Sequence, residues 1–145
     1  MINELSQYED LKSLLLGEML GRGIHRKVGV YKLENNLVIK CAIECPNINI
    51  LEDEIWLMVK DTNIAKWFAP CVAISECGMF LLQKRVETKP KSEYPKLVPL
   101  FFGDLKYKNF GWIGKQFVCC DYASFMSSSM SHKWNGKMKK VEWWE

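Results

Sequence analysis

Gly103-Asp104-Leu105-Lys106-Tyr107-Lys108-Asn109-Phe110-Gly111, followed by Gln116-Phe117-Val118-Cys119-Cys120 and then Asp121-Tyr122-Ala123, is the most informative stretch of this 145-residue chain. Asp104 and Asn109 are separated by four residues. That spacing lets one loop hold a carboxylate near a substrate hydroxyl and an amide oxygen near a metal ion. Asp121 ends the next apolar run, where its carboxylate suits Mg²⁺, a hard cation that keeps several waters and needs few protein ligands. Asp and Asn are also ordinary loop and cap residues. The combined order D-x-K-x-x-N-F-G…D-Y-A is what favours a site over a plain loop.

Working outward toward the N-terminus, a lysine stands in a strongly apolar strand, Leu37-Val38-Ile39-Lys40. An acidic partner follows on a helix: Glu52, with Glu54 as the competing choice. Residues two apart on a helix point in very different directions, so only one of them can face Lys40. Glu52 shares a face with Ile55, Trp56 and Val59 and is preferred; Glu54 is expected in solvent. Further upstream, Leu20-Gly21-Arg22-Gly23-Ile24-His25-Arg26-Lys27-Val28 reads as a glycine-bearing turn entering a strand. Missing side chains there would let backbone N–H groups approach phosphate oxygens. Arg26 stands where a third glycine would complete that pattern, and with Arg22, His25 and Lys27 it makes the turn basic.

The remaining sequence supplies a scaffold. With 48% apolar, 26% charged and 12% aromatic residues, the chain is expected to fold as a single domain with a real core. Leu5, Tyr8, Leu11, Leu14 and Leu15 recur at helical steps, giving a helix from about Glu4 to Leu16 that Gly17 and Gly21 then break. A hairpin turning at Glu34-Asn35-Asn36 joins Val28–Tyr31 to Leu37–Ile43. Asn49 is placed to cap a second helix through Leu51, Ile55, Met58 and Val59, ending near Asp61 to Asn63. A second hairpin, Val72–Ser75 with Met79–Gln83, turns at Glu76-Cys77-Gly78. The polar run Glu87–Glu93 reads as a connector. Leu97–Phe102, a hairpin turning at Gly114, a Ser-rich Ser127–Ser131 and a Trp/Lys-rich tail complete the chain.

Several classes are set aside. A net charge of +3 is too mild to argue for nucleic acid. The apolar runs Val98–Phe102 and Phe117–Cys120 fall far short of the roughly 20 residues a bilayer span requires. The N-terminal stretch reads as mature structure rather than a secretory leader. Six cysteines contain no C-x-x-C pair, so reduced, mostly buried thiols in a cytoplasmic setting are expected. Trp56, Trp67 and Phe68 are read as core packing.

On these motifs the sequence resembles the protein-kinase-like superfamily, and most closely the short kinase-like proteins of bacteriophages, over about Leu20 to Ala123. The resemblance implies an α+β fold: a small antiparallel N-terminal lobe with one main helix, and a strongly truncated C-terminal lobe. It implies an N-lobe over 1–86 with a leading helix, a connector over 87–96 with a hinge near Gln83 to Glu87, a C-lobe over 97–145, and an ATP site between lobes. Gly21, Gly23 and Val28 would belong to the phosphate loop, Lys40 would be the strand lysine and Glu52 its helix partner. Asp104 would match the catalytic-loop aspartate, Lys106 the lysine two residues on, and Asn109 and Asp121 the Mg²⁺ ligands.

The departures are specific. Phe102-Gly103 replaces the His-Arg that precedes the catalytic aspartate, D-Y-A replaces D-F-G, and only 22 residues follow Ala123. A full large lobe with its protein-substrate platform is therefore not expected. The implied function is an ATP- and Mg²⁺-binding protein that transfers the γ-phosphoryl to a protein hydroxyl. The alternative is a non-catalytic, pseudokinase-like phage effector that inhibits a host protein such as a defence factor. Nucleic-acid and membrane partners are not expected. The tail, with Trp134, Trp143 and Trp144 among Lys133, Lys137, Lys139 and Lys140, is read first as docking on the chain's own small lobe, with a homodimer interface as the alternative.

Overall fold

The computed structural model describes residues 4–125 and 135–145. Its elements are helix α1 (Glu4–Leu15), strands β1 (Leu16–Arg22), β2 (Arg26–Tyr31) and β3 (Leu37–Ala42), helix α2 (Asn47–Val59), and strands β4 (Cys71–Ile74), β5 (Phe80–Lys84), β6 (Leu97–Pro99), β7 (Phe110–Ile113), β8 (Gln116–Cys119) and β9 (Met138–Lys140). This is an α+β fold, as expected. The chain divides into two units: Met1–Asp53 with Cys71–Arg85, and Glu54–Pro70 with Val86–Glu145. Ser127–Ser131, Lys133 and Trp134 lie outside the described residues.

The first unit is an antiparallel five-stranded sheet in the order β1-β2-β3-β5-β4, with a leading helix. Its central strand β3 is buried along its whole length. Directly opposed residues of antiparallel strands share a face, so register decides which side chains meet. The pairs Arg26↔Ala42, Val28↔Lys40, Lys40↔Leu81 and Val38↔Gln83 put Arg26, Lys40 and Gln83 on one face. Ile39, Cys41 and Phe80 take the other, where Tyr8 and Leu15 of α1 cover them. The Tyr8 ring stacks on Phe80 with centroids 5.1 Å apart, and its hydroxyl donates to the Ala42 carbonyl.

Two local expectations change. α1 ends at Leu15, as expected, but Gly17 and Gly21 lie in strand β1, which follows the helix without a linker. A Cβ on Gly17 would sit 2.8 Å from the Val30 carbonyl oxygen, so glycine is what allows β1 to close against β2. Nor does Asn49 cap α2. The first helical bond runs from Ile50 N–H to Pro46 C=O at 3.0 Å, which places Asn49 inside the first turn and frees its side chain for other partners.

The second unit is built around rings. The β7–β8 hairpin turns at Gly114, whose φ of 61° lies in the left-handed region. Tyr94 meets Tyr107, Trp112, Phe117 and Trp143 edge to face, with centroids 4.8–5.6 Å apart. Phe68, fully buried, packs on Phe101, Tyr122 and Phe125, and the Tyr122 hydroxyl donates to Ala69 C=O at 2.8 Å. The tail docks here: β9 pairs with β6, and Trp143 Nε1 donates to Pro95 C=O at 2.8 Å. Among the described residues no helix is long and apolar enough to cross a membrane.

Candidate functional site

Sequence-predicted residues gather in two places. In the first unit, Glu52 is fully buried on α2 and divides its two oxygens between two cations. Oε1 meets Lys40 Nζ, and Oε2 accepts from Arg26 Nη2 at 2.9 Å. Glu54, 200° further round the helix, is exposed. Arg26 Nη1 also donates to Asn49 Oδ1 at 3.1 Å. The Asn49 amide group in turn donates toward the carbonyls of Lys40, Gly78 and Met79 at 3.0–3.1 Å. Helix α2 is thereby tied to β2, β3 and the β4–β5 turn by a set of polar contacts.

Burial is the largest influence on the Glu52 carboxyl and opposes its ionisation. The charges of Lys40 and Arg26, with their hydrogen bonds, together outweigh it and hold the group below the usual carboxylate range. The Glu52 carboxyl is therefore ionised at neutral pH.

The glycine-bearing segment is the β1–β2 hairpin, closed by Gly23 N–H donating to Arg26 C=O at 2.9 Å. Gly21 and Gly23 are exposed, neither has positive φ, and a Cβ on either would meet nothing closer than 4.0 Å. Gly29 differs: a Cβ there would fall 2.4 Å from Leu16 Cδ1. Arg22 and His25 are exposed and Lys27 is half-buried, but Arg26 turns inward to Glu52. The basic turn thus presents Arg22 and His25 to solvent, with Lys27 half-buried opposite Cys41. Val28, opposite Lys40 in the ladder, is half-buried.

In the second unit, Asp104 is exposed at φ 43°, a left-handed conformation that aspartate tolerates. Buried Asn109 holds it, with Nδ2 donating to the Asp104 carbonyl at 2.9 Å and to its Oδ2 at 3.0 Å. Lys106 Nζ lies 3.9 Å from Asp104 Oδ1. The end of β8 is tied to the same loop by Cys120 N–H donating to Asn109 C=O at 2.8 Å, and Asp121 follows directly. Asp104, Lys106, Asn109 and the backbone at Asp121 are thus brought together. With the Asn109 amide donor committed to Asp104, its carbonyl oxygen is the end suited to a cation. Asn109 and Asp121 are hard oxygen donors fit for Mg²⁺. Among the described residues no three His, Cys, Asp or Glu side chains gather as a metal-binding group.

Sequence reasoning missed Arg26 and Asn49. The signal for Arg26 was the hairpin register: with Val30 opposite Val38, Arg26 falls on the face of Lys40.

No protein-family model and no curated protein matches the chain. Among solved structures it is similar to the streptomycin-ATP-APH(2")-IIa ternary complex, at 17% identity and a TM-score of 0.40, over 61% of this chain and 31% of that one. The chain therefore spans about a third of that neighbour's length.

Proposed function

We propose that the chain binds ATP with Mg²⁺ and transfers the γ-phosphoryl to a protein hydroxyl. The observation that carries this reading is the buried Lys40–Glu52 pair, a strand lysine fixed by a helix carboxylate. In this reading Lys40 holds nucleotide phosphates and the Gly21–Gly23 hairpin brings main-chain N–H groups to them, which explains two glycines that neither backbone conformation nor packing demands. Asn109 and Asp121 hold Mg²⁺, whose bound charge would offset that of the phosphates. Asp104 orients the acceptor hydroxyl and takes its proton; Lys106 steadies the transferring group. Catalysis of this kind is mostly positioning and electrostatics, and the loop needs few parts beyond these.

The test is incubation with γ-labelled ATP and Mg²⁺, alone and with candidate protein acceptors, beside Asp104→Asn and Asp121→Asn. Label transfer lost in both variants is expected; label retained in both rejects the assigned residues. At 100 times its Kd, ATP·Mg²⁺ should stabilise the fold by about 2.7 kcal/mol, and no thermal shift at saturation rejects binding itself.

A second reading, a non-catalytic protein that uses this scaffold to bind a host protein, draws on the apolar surface of the first unit. Ile24, Leu14 and Leu33 are 88%, 66% and 71% exposed, apolar side chains that a bound partner would cover. ATP binding without transfer to any acceptor would favour it.

A further inference from the structure

We propose that Trp144 is a positioning residue that holds the Lys106 ammonium beside Asp104, an inference whose chemical purpose rests on the function proposed above. Residue 144 brackets Lys106 through the main chain. Trp144 N–H donates to Leu105 C=O at 3.1 Å, and its carbonyl accepts from Tyr107 N–H at 3.0 Å, so Lys106 and Trp144 form a parallel bridge. The indole then turns over the lysine, with Nζ 4.6 Å from the ring centroid. A cation at that distance from an indole face is attracted by the ring quadrupole. Asp104 Oδ1, 3.9 Å away, is the second contact of the same ammonium.

The reason such a clamp matters is the nature of lysine. Its charge rides on a four-carbon stem with many rotamers, and Lys106 is held by a single 3.9 Å carboxylate contact within its own loop. The indole narrows that freedom to positions beside Asp104. Residue 144 can act this way because its neighbour is anchored: Trp143 donates to Pro95 and lies against Tyr94, Phe110 and Phe117. Trp144 itself is half exposed, so its ring contributes little to the core and its role is separable from folding.

The test has two parts. In the full chain, the Lys106 Cε protons, assigned by comparison with Lys106→Arg, should be shifted upfield by the indole ring current. That shift should vanish in Trp144→Ala and persist in part in Trp144→Phe. In phosphoryl transfer, Trp144→Ala should lower kcat about five-fold while KM for ATP stays within about two-fold, since the loss falls on positioning rather than on ground-state binding. Trp144→Phe should recover most of the rate. An unshifted Lys106 in the wild type, or a shift that survives Trp144→Ala, overturns the proposal, as does a rise in KM with kcat unchanged. Failure of wild type to bind ATP or transfer phosphate would instead defeat the function proposed above, because the ring-current measurement requires no turnover.

Discussion

The two units solve the same problem, fixing polar side chains, by opposite physical means. The first holds Lys40 with buried charge: one carboxylate, two cations and an amide on a sheet face. The second holds Asp104 and Lys106 at the surface of an aromatic core, with rings and main-chain hydrogen bonds as the support. Buried ionic clusters are costly to form and very costly to break unevenly, whereas ring contacts lose stability in proportion to the area and cavity involved. The first unit should therefore respond to charge and pH, and the second to volume.

The largest effect is expected at Glu52. Glu52→Gln leaves Lys40 and Arg26 buried without their shared anion and should cost about 3–5 kcal/mol in urea unfolding. The pH dependence carries the same mark. The folded carboxyl titrates below its unfolded value, so the unfolded state binds more protons in the interval between them and stability rises with pH there. The contribution is complete above the ordinary glutamate range, about pH 4.3, and is lost as pH falls through the lower folded value. Stability of the wild type should fall steeply below about pH 4, and Glu52→Gln should be flatter in that window. Equal acid sensitivity in both proteins would remove the contrast between the units.

Next comes Trp143, the anchor of the ring cluster. Trp143→Ala removes contacts with Tyr94, Phe110 and Phe117 and the donor to Pro95, and should cost about 2–4 kcal/mol, below a fully buried tryptophan because the side chain is half-buried. Unlike Glu52→Gln, it should leave the acid limb of the stability curve parallel to wild type. A changed slope there would mean that the aromatic core and the ionic cluster are coupled.

How much of this was legible in the sequence follows the same division. Apolar residues at helical steps located the helices, and short apolar runs bounded by turn residues located the β2–β3 and β4–β5 hairpins, because both signals are local in the chain. Choosing Glu52 over Glu54 needed only helical geometry. Strand β1 was hidden because its burial is slight and its glycines read as breakers; the close approach to Val30 that makes Gly17 necessary is a tertiary fact. Asn49 was read as a cap because asparagine commonly is one, and only the position of Gly78 and Met79 across the fold shows why it lies inside the turn. Arg26 looked like part of an exposed basic turn, since local charge composition does not state which way a strand residue faces. In the second unit the Asp104–Asn109 spacing was readable, but the support that Trp143 and Trp144 give the loop depends on pairing between segments distant in sequence.

The smallest change in stability is expected at the hairpin tip, where it is also the most informative. Gly21→Ala and Gly23→Ala add a methyl group that meets no atom closer than 4.0 Å, at positions without positive φ, so the unliganded protein should change by no more than about 0.5 kcal/mol in either direction. The same substitution at Gly29 drives a Cβ to 2.4 Å from Leu16 Cδ1 and 3.0 Å from Glu18 C=O, and should cost about 1–3 kcal/mol. If the hairpin lies over nucleotide phosphates, the two tip variants should nevertheless weaken ATP binding by about ten-fold, because a methyl group there obstructs the approach of main-chain N–H groups to the ligand. Stability by thermal melting and affinity by titration calorimetry separate the two effects. Tip variants that bind ATP as wild type does would make these glycines features of the turn alone, and would leave Lys40 as the sole phosphate contact assigned to the first unit.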